Sequence, residues 1–138
     1  MLGAMDATQA IADLTEISSQ VEQVALVGSG GAVLASTLSD DARAARFVEV
    51  ARRLMDEAEA VREARGLPGL AQLEAATLDG SVFVVRDGER LIAATTTPEP
   101  TVGLVFYDLK TCLRSIDEPA APAPLRAAKS ERVEDAAP

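Results

Sequence analysis

Few residues in this chain can do covalent chemistry. Cys112 is the single cysteine, and histidine, tryptophan and asparagine do not occur. Without histidine there is no imidazole base, no imidazole metal ligand and no Ser-His-Asp or Cys-His arrangement. Cys112 falls on an apolar helical stripe with no activating group beside it in sequence, so it reads as core packing. Gly28-Ser29-Gly30-Gly31 has the glycine content of a phosphate loop. It lacks the GxxxxGK[ST] spacing and leads into a strand, so it reads as a hairpin turn. Arg86 and Arg90 flank Asp87-Gly88 and are the candidates for a cation offered to a phosphoryl group. The plainer reading is a solvated turn with ordinary salt-bridging charges. Asp40-Asp41 reads as a helix start, not as an acid/base pair. No catalytic residue, cofactor site or metal site is assigned.

The elements that carry these residues belong to one domain, which is what 138 residues allow. Apolar residues make up 48% and aromatics 3%, so the core must be built from Val, Leu, Ile and Ala. The net charge is −9. Residues 1–23 hold four acids and no bases, 39–65 hold seven acids against six bases, and 70–100 hold five against two. These segments offer no basic face, which makes nucleic acid and anionic membrane poor partners. A lone cysteine forms no internal disulfide, and no apolar run approaches the ~20 residues that span a bilayer. The N-terminus lacks a basic region followed by an apolar stretch, so no signal peptide is expected. The expected location is the cytoplasm.

Along the chain, Asp6 and Gln9 predict a capped helix over 6–20 with the stripe Ile11, Leu14 and Ile17. Residues 21–37 predict a hairpin whose strands, Val24–Val27 and Ala32–Ala35, are apolar on both faces, as in a sheet covered on two sides. Asp40 and Asp41 open a long helix that runs to Arg65 and stops at Gly66, with Pro68 beyond. Three strands follow, Leu70–Leu78, Ser81–Val85 and Arg90–Thr97, joined at Asp79-Gly80 and Asp87-Gly88. Pro98 and Pro100 break the chain. Thr101 is placed to cap a last helix with the stripe Val105, Leu109, Cys112 and Ile116. The expected fold is an α/β three-layer sandwich of order α-β-β-α-β-β-β-α, with a five-stranded, mostly antiparallel sheet and helices on both faces. Residues 1–5 are expected to be flexible. Residues 118–138 are expected to be a disordered Ala/Pro/charged tail, with Leu125 to Val133 a candidate partner-binding arm.

The long helix has more apolar surface than one sheet can cover. Residues 39–65 would span ~40 Å, whereas five strands at ~4.8 Å are ~24 Å wide. Phe47, Val48, Val50, Ala51, Leu54, Met55, Ala58 and Val61 take up ~160° of the helical wheel, more than the ~100° of a one-sided helix. Covering three or four such side chains across an interface contributes on the order of 5–10 kcal/mol before association costs. The strand Leu70–Leu78 reads as an unblocked sheet edge, which invites pairing with another chain. A homodimer with a continuous sheet follows. Its candidate interface is Phe47, Val48, Val50, Ala51, Leu54, Met55 and Ala58 on the helix with Leu73, Glu74, Ala75 and Ala76 on the edge. Arg43, Arg46, Glu49 and Arg53 are candidates for a partner-binding rim.

Over residues 6–117 the pattern resembles the Roadblock family, which includes robl-type dynein light chains and bacterial gliding-motility GTPase regulators. The likeness rests on the strand Val24–Val27, the glycine turn and the strand Ala32–Ser36 directly before the long helix. It rests also on Leu78-Asp79-Gly80-Ser81-Val82-Phe83-Val84-Val85. The third part is Leu91-Ile92-Ala93-Ala94-Thr95, a Pro-containing loop, then Val102-Gly103-Leu104-Val105. Leu73-Glu74-Ala75-Ala76 departs from it in being less β-branched. The resemblance implies a dimer without catalytic residues that binds a Ras-like small GTPase and reshapes its switch loops. Two other readings stand beside it: a dimeric scaffold that tethers signalling or motility complexes without touching GTP turnover, and a small-molecule sensor domain.

Overall fold

Each of the first two helices begins where the sequence supplies an acceptor for its free amides. In α1 (Ala7–Ile17) the Asp6 carboxylate accepts from the Gln9 N–H at 2.8 Å. The Gln9 side chain does not complete the box; it turns forward to donate to Asp13. In α2 (Asp41–Ala64) the Asp40 carboxylate accepts from the Ala42 N–H at 2.9 Å. Gly66, at φ 71°, lies just past the end of α2 in the left-handed conformation that favours glycine. Thr101 takes the cap position of α3 (Val102–Ser115), but its hydroxyl makes no capping bond. Its N–H donates instead to Gln20 Oε1.

The computed structural model describes residues 6–67, 69 and 71–116. The expectations for residues 1–5, Pro68, Leu70 and the 118–138 tail lie outside the described residues. Five strands complete the fold: β1 (Val21–Val27), β2 (Val33–Ser36), β3 (Gln72–Thr77), β4 (Gly80–Asp87) and β5 (Arg90–Thr96). The element order is the expected α-β-β-α-β-β-β-α. The sheet order is β2-β1-β5-β4-β3, and every pair is antiparallel. The reason is the path of α2. It carries the chain from β2 at one edge to β3 at the other, so the strands it joins are not neighbours.

Two cores form because alternate residues of the central strands point to opposite faces. Val24, Leu26, Phe83 and Ile92 meet Ile11 and Leu14 of α1 and Val105, Leu109 and Leu113 of α3. Ala25, Val27, Val84, Leu91 and Ala93 meet Val48, Ala51 and Met55 of α2. The result is the three-layer sandwich, α1 and α3 on one face and α2 on the other. Phe83 and Phe106 pack edge to face, with ring centroids 4.9 Å apart.

Three local expectations change. Ile17, assigned to the buried stripe of α1, is 73% exposed, because the helix ends there. Leu78, expected inside a strand, stands in the turn and is exposed. The hairpin loops are Leu78-Asp79 and Gly88-Glu89, so Gly80 is the first residue of β4 and not the second of the turn. Gly80 has φ 148°, and a Cβ on it would overlap the Thr96 carbonyl of β5. Only glycine lets β5 pass that close.

Gly80→Ala must therefore displace backbone, not merely a side chain. The expected cost is about 2–3 kcal/mol of stability. It should appear as a lower urea midpoint with an unchanged slope; an unaltered midpoint would show that the approach relaxes freely.

Candidate functional site

The surface that stands out is one flank of α2 and the sheet beside it. Ala44, Val48, Ala51 and Met55 are the buried residues of this helix. At about 100° per residue they share an arc of ~60°. Phe47, Val50, Leu54, Ala58 and Val61 lie on a second band about a quarter-turn away. Val50 is 54% exposed, Leu54 37% and Val61 62%. Phe47 and Ala58 are half-buried.

The sheet leaves room beside this band. Helix α2 lies over β2, β1 and β5 and leaves β4 and β3 largely open. Leu73 and Ala75 stand opposite Val84 and Val82 in the β3–β4 register, on the α2 side of the sheet. Phe47, Leu73 and Val82 pack at the margin of the core beneath α2, each only partly covered. Beyond them β3 is the edge strand, with no strand among the described residues along its outer row of N–H and C=O groups. On the other face Glu74 accepts a hydrogen bond from the Ser81 hydroxyl at 3.0 Å. Ala76 is exposed.

The candidate interface thus divides. Phe47, Val50, Leu54, Ala58, Leu73, Glu74, Ala75 and Ala76 retain surface. Val48, Ala51 and Met55 do not: all are buried in the chain's own core and offer nothing to a second copy. The sequence could not separate them, since both bands are equally apolar. Arg43, Arg46, Glu49 and Arg53 are all exposed, and no ion pair among the described residues engages them.

The arginine pair of the β4–β5 turn has another task. Arg86 bonds Asp56 at 2.8 Å and Glu59 at 3.0 Å, joining the end of β4 to the second half of α2. No residue of α2 after Met55 is fully buried, so this bridge fastens the overhanging turns. Sequence reading placed all these charges but not their pairing, which spans strand and helix far apart in the chain. Arg90 donates to the Leu113 carbonyl at 3.4 Å. Both guanidiniums are thus engaged within the domain. The Gly28–Gly31 segment is a hairpin turn, with the Gly31 N–H donating to the Gly28 carbonyl. It borders an open cleft of about 320 Å³ together with Arg52, Asp56 and Arg86.

Cys112 is buried, and its thiol donates to the Ala10 carbonyl at 3.5 Å. Burial, and then the charge of Asp13, pushes the thiol up from 9.0 to about 11. Such a thiol is a poor nucleophile at neutral pH. The described residues include no helix long and apolar enough to cross a membrane.

The fold is the one seen in Roadblock/LC7 domains, as the resemblance in the sequence implied. A Roadblock/LC7 domain from Streptomyces avermitilis superimposes with a TM-score of 0.71 at 15% identity, covering 80% of this chain and 94% of that one. The gliding protein MglB of Thermus thermophilus gives 0.65 at 12% identity, covering 83% and 88%. MglB of Myxococcus xanthus gives 0.58 at 13% identity, covering 79% and 80%. At these identities the likeness is one of fold. No family model and no curated protein matches the chain.

The Cys112 environment has a pH signature. The folded state holds the thiol neutral up to about 11, while the unfolded thiol ionises from 9.0. Stability from this group is present below 9.0 and falls as pH rises from there toward about 11. Denaturation at stepped alkaline pH should show a decline that Cys112→Val reduces. An identical profile in the variant would remove Cys112 as its source.

Proposed function

We propose that the protein is a non-catalytic homodimer that binds a Ras-like small GTPase and adjusts its nucleotide cycle in the cytoplasm. The observation that carries the dimer is the uncovered apolar band of α2 beside an open β3 edge. A second copy related by a two-fold meets both needs at once. Its β3 pairs antiparallel with the first, and its α2 flank covers Val50 and Leu54 while receiving the same cover in return. Full burial of a Val or Leu side chain is worth about 1.5–3 kcal/mol each, counted on both copies before association costs.

The partner class follows from the Roadblock resemblance and is supported by the fold likeness to the gliding proteins. The chemistry agrees with it. The chain has no histidine, its cysteine is buried and protonated, and its turn arginines are engaged within the domain. A regulator of this kind works by contact, reshaping loops that belong to the GTPase. The exposed Arg43, Arg46, Glu49 and Arg53 offer a mixed-charge rim for it.

Light scattering should give the mass of a dimer at micromolar concentration. Leu54→Asp places a charge in the middle of the band and should shift the protein to a monomer that keeps its circular-dichroism spectrum but melts at a lower temperature, since dissociation removes the stabilising cover; a wild-type monomer would end the dimer reading. Phosphate release by a purified Ras-like GTPase should change when this protein is added. Binding with unchanged hydrolysis and exchange would select the scaffold instead.

A further inference from the structure

The face opposite α2 carries a groove that the dimer leaves free. Helices α1 and α3 run antiparallel: Cys112 bonds the Ala10 carbonyl near one end, and Gln20 receives the Thr101 N–H near the other. Between them lies a groove of about 150 Å³, with Ala10, Leu14, Ile17 and Cys112 among its apolar lining and Asp13 and Asp108 among its polar groups. Ile17, 73% exposed, is covered by nothing among the described residues. Burial raises the Asp108 carboxyl above its ordinary value. The charge on this side has one sign. Residues 1–23 contain no base. Lys110 and Arg114 of α3 turn to its other flank, where they line the cavity beside Asp87.

The chain itself contains a segment of matching chemistry. Leu125–Val133 carries Arg126, Lys129 and Arg132 against the single acid Glu131. Arg126, Lys129 and Arg132 are three apart, and Leu125, Lys129 and Val133 four apart. A helical turn would gather the bases and the apolar residues on one side, with Glu131 and Glu134 on the other. The segment also starts in the right place. Ser115, the last residue of α3, itself lines the groove. The connection from Ile116 to Leu125 reaches ~30 Å at ~3.4 Å per residue, and a helix the length of α1 is ~17 Å.

We infer that the C-terminal segment Leu125–Val133 folds back into the α1–α3 groove of its own chain. Its bases meet Asp13 and Asp108, and Leu125 and Val133 cover Ile17. The grip is electrostatic around a small apolar contact, so salt and charge reversal release it. The inference does not depend on the dimer or on the GTPase.

Paramagnetic relaxation in the full-length chain tests it. A nitroxide on Ser130→Cys, in a Cys112→Ala background, should cost the amide signals of Asp13, Leu14, Ile17 and Thr111 most of their intensity at low salt. The loss should reverse in about 1 M salt, where the Debye length is ~3 Å. It should vanish when Arg126→Glu and Arg132→Glu are added. Absence of broadening, or broadening spread over α2 and the sheet, overturns the proposal. Broadening seen only between spin-labelled and isotope-labelled molecules in a mixed sample means a neighbouring copy's arm occupies the groove, which also overturns it. Should Cys112→Ala fail to fold, native Cys112 reports instead. Its alkylation in the full chain should be severalfold faster with Arg126→Glu, Lys129→Glu and Arg132→Glu than without them, and equal rates refute the contact.

Discussion

A single helix that bridges a five-stranded sheet from edge to edge cannot hide all of its apolar surface on that sheet, and the architecture follows from this mismatch. Helix α2 buries Ala44, Val48, Ala51 and Met55 and leaves Val50, Leu54 and Val61 in solvent. Phe47 of the second band packs against the same core as Leu73 and Val82 of the open strands, so the uncovered band and the unpaired edge strand fall on the same side of the sheet. The same path puts β2 and β3 at opposite edges and lets every neighbouring pair run antiparallel. Past Met55 apolar packing gives way to charge, and Arg86 holds the overhang through Asp56 and Glu59.

Near-absence of aromatics shapes how the layers approach one another. Under α2 the sheet offers Ala25 and Ala93 between Val27, Val84 and Leu91, so the helix packs on a shallow surface of small and β-branched side chains. The other face takes the bulk, with Phe83 against Phe106 and Leu26, Ile92, Leu109 and Leu113 around them. Gly80 belongs to the same economy of space, since β5 backbone occupies the position its side chain would need.

The domain meets its surroundings with two unlike surfaces. Its thiol is kept protonated by burial, and its turn arginines are occupied within the fold. What it presents differs by face. One side of the sheet shows an apolar band bordered by mixed charge. The other shows a small apolar groove bordered by Asp13 and Asp108, suited to a basic segment. The two lie on opposite sides of the sheet, so occupation of one leaves the other accessible.

Much of this was legible in the residues. Asp6 and Asp40 marked the starts of α1 and α2, Gly66 marked the end of α2, and the stripe Val105, Leu109, Cys112 and Ile116 was buried as read. The strand order along the chain and the excess apolar width of α2 were also there, because periodicity and capping are local properties. What the residues did not distinguish were Val48, Ala51 and Met55 from Val50 and Leu54. All are apolar, and only the angle at which the helix crosses the sheet decides which band is buried. The same holds for Ile17, exposed because α1 ends there, and for Arg86, whose acidic partners are brought to it by the crossing of α2. Asp13 and Asp108 share a groove only because α1 and α3 pack antiparallel, a contact between the two ends of the domain. Sequence determined the elements and the amount of surface they must bury. Tertiary structure decided which side chains supply it, since burial depends on what stands opposite, and that is set by packing across the chain.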